Sequence, residues 1–312
     1  MKEINNQNPI RGFFGKLPIF NDFVKYNAGN QEIIGMDNWL QEGIILAKQK
    51  LKSDWKQVYK SSSPLNFFYP FTGTDKFISG VIFTGSDKSG REFPFFIYSV
   101  FKKDIIDNVP FYLIPLQFNN ELNSFESIFN QIDVDTSLDD LTALINQVSS
   151  SFPDNNKNDR YQTFIDNTMQ EDFWNRIYEN YSEEKKYRLV DNIFNPEINN
   201  SRLPLRIKFN SAVEDNILYI SLLLNILALS KDNIFLPALF WNINRDNITS
   251  LNIFSSHPTP INYLNMIYSN GNDDRIFALE TKSGSALAQP INKDILNKKI
   301  NLKELLQILN TI

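Results

Sequence analysis

Apolar residues recur along this chain with two different periods, and the alternation between them lays out an order of elements. Trp39, Leu40, Ile44, Ala47, Leu51, Trp55 and Val58 return every three or four positions, so residues 37–60 are predicted to form one or two helices with Asp37 as N-cap. Residues 65–71, 77–84 and 91–101 are short runs rich in aromatic and β-branched side chains, and read as strands. Gly85 and Gly90 frame the connection between the second and third, which suits a hairpin loop. Residues 111–118 have the same continuous apolar character and are predicted as a further strand. A helix follows, carrying Leu122, Phe125, Ile128, Phe129 and Ile132. Another starts at Ser137, whose hydroxyl caps it with Asp140 at the third helical position, and it turns Leu141, Leu144, Ile145 and Val148 inward.

Residues 152–160 are the most linker-like stretch, polar and Asn-rich, and read as a domain boundary or as an exposed loop within one domain. Beyond them the pattern gives helices at 161–169 and 172–181, a solvated charge run Glu183-Glu184-Lys185-Lys186, a strand at 205–209 and an apolar helix near 215–229. Strands follow at 238–243 and 249–254 around a turn at 244–247, then helices at 260–269 and 301–310, the latter capped by Asn301 with Glu304, and a short strand at 275–280. Strands this close together are joined by hairpins rather than parallel crossovers. The expected fold is therefore an α/β layered sandwich with a mixed, largely antiparallel sheet flanked by helices. Residues 1–135 form an N-terminal module and 136–312 a C-terminal α/β half, the two expected to pack as one extended unit.

One stretch follows neither period: Gly12-Phe13-Phe14-Gly15-Lys16-Leu17-Pro18-Ile19-Phe20-Asn21-Asp22-Phe23. Glycine serves where the backbone needs positive φ or close approach, and Pro18 forces Leu17 to be extended. The stretch reads as a strand entering an irregular aromatic loop. Lys16 and Asp22 are either a polar site displayed by that loop or an ion pair that holds it in place. No phosphate-wrapping glycine run, Ser-centred elbow or nearby His accompanies them.

Two later segments complete the pattern, Trp39-Leu40-Gln41-Glu42-Gly43 and Asp87-Lys88-Ser89-Gly90-Arg91-Glu92-Phe93-Pro94. In order and spacing these three motifs resemble the TagF (ImpM) family of accessory proteins of bacterial type VI secretion systems. The likeness is dense over residues 10–101 and sparser at Pro237-Ala238-Leu239-Phe240-Trp241 and Pro258. One departure is Asn21, where the family usually has Gly before Asp-Phe; Asn is the residue that best replaces Gly at a left-handed position.

The resemblance implies a non-enzymatic cytoplasmic regulator, a post-translational repressor that binds a component of the machine such as its forkhead-associated scaffold. An adaptor, chaperone or assembly factor is the alternative. The implied partner-binding or motif residues are Gly12, Phe13, Phe14, Gly15, Lys16, Pro18, Phe20, Asp22, Phe23, Trp39, Asp87, Gly90, Arg91 and Pro94. Arg91 stands at the base of its turn and is expected to pair with Asp22. Trp39 lies on an apolar helix face, where a Trp reads first as a core anchor.

Composition narrows the rivals. With 26 Phe and 42% hydrophobic residues in 312, the chain folds rather than staying disordered. It has 36 acidic and 31 basic residues and a pI near 5.1, without the basic footprint that nucleic acid or an anionic membrane would call for. The absence of Cys removes thiolate chemistry and Cys-ligated metals, and His257, in a Ser-Ser-His-Pro loop, is the only imidazole. No cofactor or metal is expected. The rival enzyme reading rests on Asp22, Asp75, Asp87 and Glu92 converging for hydrolysis or metal-dependent phosphate chemistry. Met1–Asn8 lacks the apolar core of a signal peptide, and the run from Ile217 to Leu229 is too short to span a bilayer, so a cytoplasmic location is expected.

Overall fold

The computed structural model describes residues 9–149, 152–178, 183–200, 203–210, 216–230, 236–244, 246–268, 275–282 and 291–312, without the side chains of 183, 199 and 200. In chain order the elements begin with β1 (Ile10–Gly15), β2 (Val24–Tyr26), α1 (Gln31–Leu51), α2 (Trp55–Ser61), β3 (Leu65–Pro70), β4 (Lys76–Phe83) and β5 (Phe95–Lys102). Next come α3 (Ile114–Gln131), α4 (Leu138–Gln147), α5 (Asn155–Asn167), α6 (Gln170–Ile177), α7 (Glu183–Ile193) and α8 (Pro196–Asn200). The remainder are β6 (Leu205–Asn210), α9 (Asn216–Leu229), β7 (Ala238–Ile243), β8 (Ile248–Phe254), α10 (Pro260–Ile267), β9 (Phe277–Ala278) and α11 (Leu302–Leu309). The chain forms two compact units. One comprises 1–108, 118–152 and 259–270; the other 109–117, 153–258 and 271–312.

In the first unit the strands run in the order β2-β1-β5-β4-β3, each antiparallel to its neighbour. β4 and β5 are buried along nearly their whole length, which is why their sequences lack a polar face. Phenylalanine fills this core. Phe77 stacks on Phe101 at 5.1 Å, Phe83 on Phe129 at 4.0 Å, and Phe118 meets Phe68, Phe77 and Phe101. Burying one such ring contributes roughly 2–3 kcal/mol, so this aromatic layer outweighs any single surface ion pair. α1 packs against α10, where the Trp39 indole N–H donates to the Thr259 carbonyl at 3.0 Å and its ring meets Tyr263 edge-on at 5.8 Å.

In the second unit the order is β7-β8-β6-β9, antiparallel except that β9 runs parallel to β6. The β-structure is thus mixed and largely antiparallel, with helices beside it, as the spacing predicts. α9 is buried on nearly every side, with ten of its residues out of solvent.

Several expectations need correction. α1 starts at Gln31, not 37, so Asp37 lies inside the helix and accepts from the Gln41 amide at 3.0 Å. Residues 111–118 are not a strand: a 3-10 turn at Phe111–Leu113 runs into α3, whose second residue is Pro115, where a missing N–H costs nothing. Residues 152–160 are not an exposed loop throughout, because α5 begins at Asn155 with the Asp154 carboxylate capping the Asn156 amide, but the division between the two compact units does fall within them, between Phe152 and Pro153. Lys186 is not solvated; its ammonium is buried on the Leu296 carbonyl and the Asn297 side chain. Of the predicted elements, residues 179–181, 215 and 269, position 245 of the turn, and Met1–Asn8 lie outside the described residues. Both capping boxes, Ser137 with Asp140 and Asn301 with Glu304, form as read.

Candidate protein-docking site

β1 delivers the glycine-aromatic stretch to the end of the first unit's sheet, and the turn between β4 and β5 closes on it. Gly15 has φ +134°, and a Cβ there would lie 2.0 Å from the Pro94 carbonyl oxygen. Gly85 is equally confined: a Cβ would stand 2.3 Å from the Lys16 carbonyl and 2.6 Å from that of Phe93. Only glycine lets the two backbones meet so closely. The Tyr59 hydroxyl clamps the same spot, donating to the Gly85 carbonyl at 3.1 Å and accepting from its amide at 2.9 Å. Burial pushes that phenol well above its usual range.

Asp87 is the centre of the arrangement. Its carboxylate has no solvent exposure and accepts five hydrogen bonds. Lys16 Nζ donates to Oδ2 at 2.9 Å and Arg91 Nε to the same oxygen at 2.7 Å. The Ser89 amide and hydroxyl donate to Oδ1 at 3.0 and 2.6 Å, and the Arg91 amide at 3.0 Å. Burial alone would raise this carboxyl, but the donors from Lys16, Ser89 and Arg91 together outweigh it and hold the group well below the usual carboxylate range. Gly90, at φ +83°, closes the turn with its amide on the Asp87 carbonyl.

The turn in turn grips the loop. The Lys88 amide donates to the Phe20 carbonyl at 2.8 Å, and Arg91 Nη2 to the Asn21 carbonyl at 3.1 Å. Lys16 Nζ also lies 4.9 Å from the centroid of the Phe23 ring. Phe23 packs on Phe93 at 4.8 Å and Phe14 at 5.4 Å, while 40% of it remains exposed. Glu92 pairs with Lys48 at 3.4 Å; burial would raise it, but its own amide and Lys48 leave it below its usual range.

Most of the motif residues read from the sequence therefore meet here. Gly12 and Phe13 lie in the core of β1, with Phe13 against Tyr26 and Phe95, and Pro94 is buried under Gly15. Pro18 and Asp22 are exposed, and Phe20 is half-buried. Trp39 is a core anchor bonded to Thr259.

The expected Asp22–Arg91 pair is not made. Arg91 takes Asp87 and the Asn21 carbonyl, while Asp22 turns back to accept from the Phe23 amide at 2.8 Å. Lys16 likewise serves Asp87 rather than Asp22, and with 8% of its side chain exposed it holds the loop from within. Nor does Asn21 need a left-handed backbone: among described non-glycine residues only Asn27, Lys52 and Asn247 have positive φ. Sequence reasoning missed Tyr59, Ser89 and Phe93. Ser89, two residues after Asp87, carries the signal of an Asx turn; nothing in the spacing marks Tyr59.

Among the described residues no group of three or more His, Asp or Glu converges as metal ligands, and no helix is long and apolar enough to cross a membrane. The sequence over residues 12–148 matches the family described as the TagF N-terminal domain, type VI secretion system-associated. No curated protein matches the chain. Among solved structures it is similar to that of PA0076 from Pseudomonas aeruginosa PAO1, at 15% identity and a TM-score of 0.49 over 85% of this chain and 96% of that one.

Proposed function

We infer that this chain, whose residues 12–148 match the family described as the TagF N-terminal domain, type VI secretion system-associated, works as an accessory protein of such a system. It acts in the cytoplasm by holding on to another component of the machine, the forkhead-associated scaffold being the first candidate, and thereby restrains secretion after translation.

The observation that carries this reading is how the motif carboxylates are used. Asp87 is enclosed by its own five donors, and Glu92 turns to Lys48. A carboxylate saturated in this way shapes a surface and has little capacity left to accept a substrate proton or bind a metal. What it shapes is a fixed loop presenting Pro18, Asn21, Asp22 and Phe23 to solvent, and pre-ordered loops bind proteins at low entropic cost.

Deleting the gene tests the reading. Secretion of the system's tube protein into the medium should rise, and plasmid-borne wild type should return it to the starting level. A fall in secretion would favour an adaptor or assembly factor, and no change would remove the assigned role.

A further inference from the structure

We propose that Phe23, Lys25, Lys88 and the exposed flank of Arg91 form a basic, aromatic surface that takes an acidic segment of a partner protein. This deepens the docking reading above and rests on it.

The placement follows from register. Phe14 on β1 is the direct cross-strand partner of Lys25 on β2, so their side chains share a face, and that face carries Phe23 at 5.4 Å from Phe14. Lys88 joins through its backbone N–H, which donates to the Phe20 carbonyl, and the Arg91 side chain, 62% exposed, through its hydrogen bond to the Asn21 carbonyl. Across loop and turn, four cations (Lys16, Lys25, Lys88, Arg91) stand against three carboxylates (Asp22, Asp87, Glu92), of which Glu92 is taken by Lys48 from α1 and Asp87 is buried, whereas the chain as a whole carries −5. Lys25 and Lys88 are exposed.

Local excess of positive charge on an acidic molecule selects an acidic occupant by complementarity. Phe23, already fixed by Phe93 and Phe14, supplies an anchor that loses little freedom on contact. A protein segment fits better than a nucleic acid or an anionic bilayer. The patch is small, Asp22 sits inside it, and the net charge of the chain repels extended polyanions.

The experiment is photo-crosslinking in the native host. Phe23 is replaced by benzoylphenylalanine in the full chain, and crosslinked peptides are identified by mass spectrometry. The expected product joins position 23 to a partner segment rich in Asp and Glu, and its yield falls at least tenfold in the Lys25→Glu, Lys88→Glu double variant. The Lys50→Glu, Lys60→Glu control, at exposed sites on α1 and α2, keeps the wild-type yield, and circular dichroism confirms that both doubles fold. A crosslink to a neutral or basic segment, to a second copy of the chain, to lipid or to nothing overturns the proposal, as does a yield indifferent to the Lys25 and Lys88 reversals. An acidic segment from a protein outside the secretion system leaves this surface standing and overturns the proposed function instead.

Discussion

At the scale of single residues, the sequence motifs encode one desolvated carboxylate and the groups that satisfy it. Lys16, Ser89 and Arg91 look like separate features of the chain, yet each ends on Asp87. Removing a buried acceptor strands every donor at once, whereas removing one donor leaves the others. Melting temperature should therefore fall in the order Asp87→Ala, then Asp87→Asn, then Lys16→Met, with Asp22→Ala within about 0.5 kcal/mol of wild type because its side chain is exposed. A large loss from Asp22→Ala would contradict the network drawn above. The same carboxylate has a pH signature. Its folded pKa lies below the unfolded value near 3.8, so the stability it contributes is present above that value and lost as pH falls through the folded one. Burial raises Glu126 and Glu280 instead, which gives them the opposite sign. The readout is thus the difference between wild type and Asp87→Asn: large at pH 6, shrinking below about pH 4.

At the scale of elements, what could be read ahead of the structure was what local chemistry decides. Ser137 and Asn301 start helices because their side chains satisfy amides three residues on, and the β4–β5 hairpin is marked by Gly85 and Gly90. Tertiary context decides the rest. Residues 111–118 are apolar apart from Gln117 because that segment is largely buried, and burial erases the period that separates helix from strand. The helix predicted at 161–169 is the C-terminal half of α5, and the turns before it escape the pattern because its inner face is Lys157, Tyr161 and Ile165, a four-residue spacing that shows only if a lysine stem counts as apolar. Lys157 reaches the Gln117 carbonyl at 2.6 Å, a long-range partner that no local pattern announces. The sequence points Lys16 and Arg91 to Asp22 rather than Asp87 for a related reason: the residue types are alike, and the two carboxylates differ in burial, which the sequence does not state. The close approach of β1 to the hairpin gives a test at this scale. Gly15→Ala should cost roughly 1–3 kcal/mol in backbone strain alone, with the clash on the Pro94 carbonyl added. Denaturant titration showing less than about 0.5 kcal/mol would mean that the strand and the turn are not held together at Gly15.

At the scale of the whole molecule, the question is whether the chain makes or breaks bonds or only holds on to something. Exposed carboxylates such as Asp22 and Asp75 offer a route to metal-dependent phosphate chemistry, and such a site would bind Mg²⁺, Mn²⁺ or a nucleotide in the folded state alone. Binding of that kind stabilises by about 2.7 kcal/mol at a hundredfold excess over Kd. At about 2.1 cal/mol/K per residue each kcal/mol moves the melting temperature of a chain of this length by about 1.5 °C, so millimolar Mg²⁺ with ATP acting on a site of micromolar affinity, which stabilises by about 4 kcal/mol, should raise it by about 6 °C. With Asp87 already saturated by Lys16, Ser89 and Arg91, we expect no shift with either metal, with or without nucleotide. A shift that disappears in Asp22→Asn or Asp75→Asn would reveal a site built from the exposed carboxylates and move the chain into the class of enzymes. A flat response leaves the free energy of this molecule invested in the shape of its loop, and a protein partner is the ligand that can read a shape.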